Sequence, residues 1–90
     1  MPLVRAKIIA RIRATHSSDY GTLTWDWVLR ADGRVSYKLT AVSGKRERNP
    51  WTPATQLTST QLQLARDDRH EAHALLMRLV RQQGQHLIRR

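Results

Sequence analysis

The sequence predicts an α+β domain: a three-stranded antiparallel β-meander, followed by one kinked helix or two C-terminal helices packed on one sheet face. Three observations lead to this prediction: strict alternation of side-chain character in the first half, a glycine turn between two alternating segments, and helical spacing of apolar residues near the C-terminus. Ninety residues suffice for one compact domain, 1–90, and are too few for two.

The first strand is predicted over about 4–15, where small or apolar residues alternate with cations. Period two over this length indicates a strand with one buried and one solvated face, and the turn-rich residues that follow end it. One side of this strand carries Val4, Ala6, Ile8, Ala10, Ile12 and Ala14. The other side carries Arg5, Lys7, Ile9, Arg11 and Arg13.

Two further strands, about 22–30 and 34–42, flank the turn Ala31-Asp32-Gly33. A two-residue loop would set Trp27 opposite Lys38 and mix apolar with charged side chains on one face. A three-residue loop, with Gly33 in the left-handed conformation of a bulge, keeps one face apolar and is therefore the predicted turn. This register pairs Leu29 with Val35, Trp27 with Tyr37, Trp25 with Leu39, and Arg30 with Arg34.

Residues 43–57 are predicted to form a loop, because Gly44, Pro50 and Pro53 interrupt regular structure. Trp51, between the two prolines, has two interpretations: it covers an edge of the core, or it is an exposed residue that stacks on an unpaired base.

Helical structure is predicted over 58–83, beginning at a capping box formed by Thr58 and Gln61. The alternative for residues 60–66 is a short fourth strand through Leu62 and Leu64. Polar residues near 66–71 indicate a kink or break. The second helical part is predicted to begin at a capping box of Asp68 and Glu71 and to end at Gly84 as a C′ residue. Its apolar stripe comprises Ala72, Leu75, Leu76, Leu79 and Val80. A basic tail, 85–90, follows it.

Positive charge is the strongest compositional feature of the chain. Sixteen Lys and Arg against seven Asp and Glu give a net charge of +9, and a domain this basic carries the electrostatic signature of nucleic-acid binding. Like charges placed close together destabilise a fold by their repulsion, and a bound polyanion would relieve that repulsion. The open sheet face, with Asp26 as its only acid, carries Arg5, Lys7, Arg11, Arg13, Arg30, Arg34 and Lys38; Lys45, Arg46 and Arg48 extend it in the following loop.

These residues predict a non-enzymatic nucleic-acid-binding protein that contacts the phosphate backbone through the basic sheet face. Duplex DNA is favoured over RNA, because that face is predicted to lack the aromatic rings on which RNA bases stack. The order of elements resembles the sheet-plus-helix DNA-binding modules of phage integrase arm-binding domains and plant AP2-type domains, an architectural likeness without a shared motif. The alternative is a small phage or mobile-element inhibitor or adaptor that docks on an acidic protein surface or a nucleoprotein machine.

Other kinds of site find little support. The chain has no cysteine, which excludes disulfides and thiolate metal sites, and no phosphate-binding glycine loop or catalytic triad pattern occurs. His70, His73 and Asp67 could align on a helix, but an exposed polar face explains them better, so no metal and no cofactor are predicted. We expect a cytoplasmic protein without a membrane segment, able to form a homodimer through its first strand as an edge strand.

Overall fold

The computed structural model describes residues 6–19 and 21–88 and has the predicted α+β class. An antiparallel sheet lies under two C-terminal helices, so the alternative of a fourth strand over residues 60–66 is wrong. Arg5 and residues 89–90 lie outside the described residues. The elements are β1 Ile8–Ser18, β2 Gly21–Arg30, β3 Arg34–Val42, β4 Lys45–Arg46, β5 Thr52–Gln56, α1 Ser59–Asp67 and α2 Arg69–Ile88.

The turn between β2 and β3 has the predicted three-residue loop. The Gly33 amide donates to the Arg30 carbonyl at 2.9 Å, and the φ of Gly33 is +89°, in the left-handed region. The resulting register confirms three predicted pairs: Leu29 with Val35, Trp27 with Tyr37, and Trp25 with Leu39.

Two bulges interrupt the alternation that the sequence predicted. In β1, Ile8 pairs with Arg30 but Ala10 pairs with Leu29, so Ile9 is an extra residue. Ile9 packs against the hydrophobic core, so the expectation that Ile9 shares the charged face is wrong. Ile8 and Ala6, before the bulge, correspondingly leave the apolar side on which they were predicted.

The second bulge lies at Thr40 in β3. Trp25 pairs with Leu39, whereas Thr24 pairs with Ala41, so Thr40 has no residue directly opposite it in β2. Its hydroxyl donates to the Thr24 carbonyl at 3.2 Å. Because directly paired residues point to the same face, Ala41 lies on the same sheet face as Thr24. The prediction that Ala41 shares a face with Leu39 is wrong.

The predicted loop over 43–57 is instead an interrupted strand along the outer edge of β3. β4 pairs with one end of β3 and β5 with the other. Between them, the Glu47 amide donates to the Thr40 carbonyl and the Asn49 side chain to the Leu39 carbonyl, both at 2.9 Å. Pro53 is tolerated because the segment is an edge strand, whose outer side needs no donor. In the described sheet, β1 forms the opposite edge.

The helices begin where the capping residues predicted and end later than expected. Thr58 and Gln61 form both bonds of the capping box of α1. Asp68 is extended and separates the helices, and its carboxylate accepts from the His70 amide at 2.8 Å. The Asp68 amide donates to the Leu64 carbonyl at 3.2 Å instead of to the Glu71 carboxylate, as the predicted capping box would require. The expected stop at Gly84 is wrong, because α2 continues through it to Ile88, into the predicted tail.

The core lies between the sheet and the helices, with α2 packed on β1 and β2 and α1 packed on α2. Tyr37 contacts both tryptophans of β2, with ring centroids 4.8 Å from Trp27 and 5.7 Å from Trp25. Leu29, Val35 and Leu76 are fully buried beside Trp27. The apolar sheet face is therefore the covered one, and neither α1 nor α2 lies on the opposite face. No helix within residues 6–19 and 21–88 is long and apolar enough to cross a membrane.

Candidate nucleic-acid interface

Five cations from three adjacent strands line the uncovered side of the sheet. Strand pairing sets Arg13 opposite Asp26 and Asp26 opposite Lys38, so this row crosses β1, β2 and β3. The side chains of Arg11, Arg13 and Arg34 are 57%, 70% and 74% exposed, which leaves their guanidinium groups open to solvent. We call this surface the cationic face: Arg11, Arg13, Arg30, Arg34 and Lys38.

Asp26 lies at the centre of the cationic face and is itself buried, with 5% of its side chain exposed. Arg11 Nη2 donates to Asp26 Oδ2 at 3.2 Å, and Arg13 Nε lies 3.7 Å from Oδ1. A buried carboxylate requires such partners, because desolvation is costly for an unpaired charge. Asp26 thereby holds two arginines side by side without neutralising the face, since the cations outnumber it.

Trp51 lies on the cationic face, so neither prediction for it is correct in full. Lys38 Nζ is 4.5 Å from the centroid of the Trp51 ring, and the Arg30 guanidinium carbon is 5.9 Å from it. These are cation–π distances, and the ring is half-buried. The expectation that this face has no aromatic ring is wrong. The sequence carries no local signal for this position, because the strand that follows Trp51 forms by pairing with β3.

The apolar residue of this face is also covered. Val28 is fully buried although no helix lies over it. Arg11 and Ser36 lie directly opposite Val28 on the neighbouring strands. Long cationic side chains commonly cover apolar surface with their methylene stems while their charged ends remain in water. The cationic face thus has a closed apolar centre and a charged outer layer.

The predicted repulsion between Arg30 and Arg34 is relieved within the protein. Arg30 Nη1 donates to the Ala6 carbonyl at 2.9 Å. Arg34 Nε lies 3.6 Å from Asp32 Oδ2, and the Arg34 amide donates to the same carboxylate at 3.0 Å. Each guanidinium has an acceptor of its own, while Arg34 stays largely exposed.

The remaining predicted cations are not all on the cationic face. Arg46 pairs with Ala41 and so extends this face, whereas Lys45 pairs with Val42 and faces the opposite way. Arg48 is exposed in the segment after β4. Lys7 lies on the helix side of the sheet, because the bulge at Ile9 reverses the alternation before it. Arg5 lies outside the described residues.

Asp67, His70 and His73 were the candidate metal ligands that the sequence aligned on one helix face. Asp67 accepts hydrogen bonds from Gln63 Nε2 at 3.2 and 3.3 Å. Within the described part of the chain, no group of three or more His, Cys, Asp or Glu is placed to hold a metal ion. The exposed guanidinium groups of the cationic face can make electrostatic and hydrogen-bonding contacts with an anionic surface.

No family model matches this chain, and neither the curated proteins nor the solved structures include a significant match.

Proposed function

We propose that this protein is a non-enzymatic nucleic-acid-binding protein that holds the phosphate backbone of duplex DNA on its cationic face. One observation carries the proposal: within residues 6–19 and 21–88, five cations from three strands share a sheet face that no helix covers, and the two carboxylates paired with them, Asp26 and Asp32, leave an excess of positive charge. A solubilising surface would intersperse both signs of charge. Arginine predominates in the set, and its planar group matches phosphate oxygens in a bidentate manner.

The dimensions of the face suit a duplex. Arg13 on β1 and Lys38 on β3 are separated by two strand spacings, or about 10 Å. The major groove of B-DNA is about 12 Å wide, and three-stranded sheets or β-ribbons can enter it. RNA-recognition sheets stack two or three bases on aromatic rings, whereas the aromatic group that this face presents in the described residues is one ring, Trp51, with Lys38 and Arg30 at cation–π distances from it. Duplex DNA therefore remains the favoured ligand.

The test compares two double variants that remove the same charge from different surfaces. Arg13→Gln with Arg34→Gln changes the two most exposed arginines of the cationic face and leaves Arg11 paired to Asp26. Arg78→Gln with Arg81→Gln is the matched control, because both residues are exposed on α2, which packs on the covered face. Binding is measured by fluorescence anisotropy with duplex DNA, single-stranded DNA and duplex RNA of one sequence.

The salt dependence gives the expected magnitudes. Five phosphate contacts predict a slope of about −4.5 in log K against log salt, or about a 500-fold loss of affinity from about 50 to about 200 mM salt. Losing two contacts reduces the slope to about −2.7 and weakens binding about 60-fold at about 0.1 M salt. The α2 control should retain the wild-type slope. Negligible binding to all three nucleic acids at low salt would overturn the proposal and favour docking on an acidic protein surface.

A further inference from the structure

A second cationic site lies on the helix side of the sheet, away from the cationic face. A cleft of about 360 Å³ opens where the start of β1 meets the junction of α1 and α2. This volume is at the lower end of the range for small-molecule sites. We call it the helix-side cleft; it is lined by Lys7, Ile8, Ile9, Ala65, Arg66 and Arg69.

The bulge in β1 places Lys7 in this cleft. Ile8 pairs with Arg30 on the cationic face, so Lys7, one residue earlier, points to the helix side. The backbone stays in the sheet there, because the Ala31 amide donates to the Lys7 carbonyl at 2.7 Å. Without the extra residue Ile9, Lys7 would lie beside Arg11 on the cationic face, as the alternation predicted.

The guanidinium of Arg66 is fixed at the cleft. Its Nε and Nη2 donate to the Ala31 carbonyl at 3.1 and 2.6 Å. Those two bonds use one side of the guanidinium group and leave the Nη1 hydrogens for another acceptor. The group is thus preorganised, so that little side-chain entropy is lost when an anion binds.

Acidic residues near the cleft are engaged elsewhere. Asp67 accepts from the Gln63 side chain, and Asp68 caps α2 through the His70 amide. Across residues 6–19 and 21–88, none of the three cleft cations forms an ion pair, and no carboxylate lines the cleft. Three cations that line one cleft without such partners repel each other, and a compact dianion would relieve that repulsion.

We propose that the helix-side cleft binds a terminal phosphate monoester, either of a free mononucleotide or at the 5′ end of a nucleic acid. A monoester carries nearly two charges on three oxygens that accept strong hydrogen bonds, which suits a cleft lined by three cations better than a singly charged phosphodiester does. The concave shape and the volume leave room for a sugar beside the three cations.

Calorimetric titration with AMP and adenosine tests the cleft directly, alongside an oligonucleotide with and without a 5′-phosphate. The cleft variant is Lys7→Gln with Arg69→Gln, which spares Arg66 because that residue also holds the Ala31 carbonyl. Arg78→Gln with Arg81→Gln removes the same charge from α2 outside the cleft and is the control.

We expect saturable binding of AMP, at least tenfold weaker in the cleft variant and unchanged in the control, with no binding of adenosine. A gain from the 5′-phosphate identifies the nucleic-acid end as the source of the ligand, and no such gain identifies the free nucleotide. The proposal is overturned if neither phosphate gives binding that depends on Lys7 and Arg69. Because Arg13→Gln with Arg34→Gln should leave AMP binding intact, failure here is distinguishable from failure of the cationic face to bind duplex DNA.

Discussion

Replacing the buried acid of the cationic face should strengthen DNA binding while weakening the fold. Asp26→Asn removes a carboxylate that is 5% exposed and contacts Arg11 at 3.2 Å. A phosphate held by the same guanidinium would lie about 6 Å from that carboxylate, where an effective dielectric constant of about 20 gives about 3 kcal/mol of repulsion before salt screening. Ordering the released arginine again on DNA costs about 1 kcal/mol.

The difference of about 2 kcal/mol corresponds to about 30-fold tighter binding before salt screening, while the slope should stay near −4.5 because the number of phosphate contacts is unchanged. Stability should fall by about 1–2 kcal/mol, because a charge-assisted hydrogen bond is lost while a buried charge is removed. Anisotropy and urea denaturation measure the two effects. Glu71→Gln, an exposed change on α2, removes the same negative charge and should leave the affinity for DNA nearly unchanged. Folded Asp26→Asn protein that binds no more tightly than wild type would refute the assignment of Arg11 and Arg13 to phosphate contacts.

Three further predictions concern the turn, the aromatic ring and the sheet edge. Gly33→Ala should lower the free energy of unfolding by about 1–3 kcal/mol, because its Cβ would lie 2.6 Å from Gln56 Nε2. Gly44→Ala, which is also left-handed but has open space around it, should cost less. Equal losses of stability in thermal denaturation would argue against the close contact at Gly33. Trp51→Ala should lower the free energy of unfolding by about 1–3 kcal/mol, because the burial of the ring and its cation–π contacts are lost. A decrease below about 0.5 kcal/mol, measured by urea denaturation, would mean that the ring is solvated. In a dimer that pairs β1 with β1, Arg11 and Arg13 would repel their counterparts, and salt screens that repulsion. Raising the salt concentration should therefore shift the solution mass from 10.4 kDa toward twice that value. An unchanged mass would contradict dimerisation through β1.

The turn at Gly33 shows what could be predicted from the sequence. Only one loop length kept Trp27 and Tyr37 on one face, so the register followed from the pattern of apolar residues. Thr58 and Gln61 likewise marked the start of α1, because a capping box depends on neighbouring residues alone. Local chemistry and strict alternation were sufficient for these features.

The features that sequence reasoning missed depend on partners distant in the chain. The run Ile8-Ile9 is compatible with either face, and only pairing with Arg30 and Leu29 shows that it contains a bulge. Residues 52–56 become a strand because β3 offers an open edge, which tolerates Pro53. The helix-side cleft joins Lys7 to Arg66 and Arg69 across the fold, so no local pattern signals it.

An NMR titration with duplex DNA tests the central claim most directly, because arginine Nε–H and tryptophan indole N–H signals report on individual faces of the sheet. We predict that the largest shifts occur at Arg11, Arg13 and Arg34 and at the Trp51 indole, with Arg78 and Arg81 on α2 nearly unchanged. Larger shifts on α2 than on the cationic face would contradict the account.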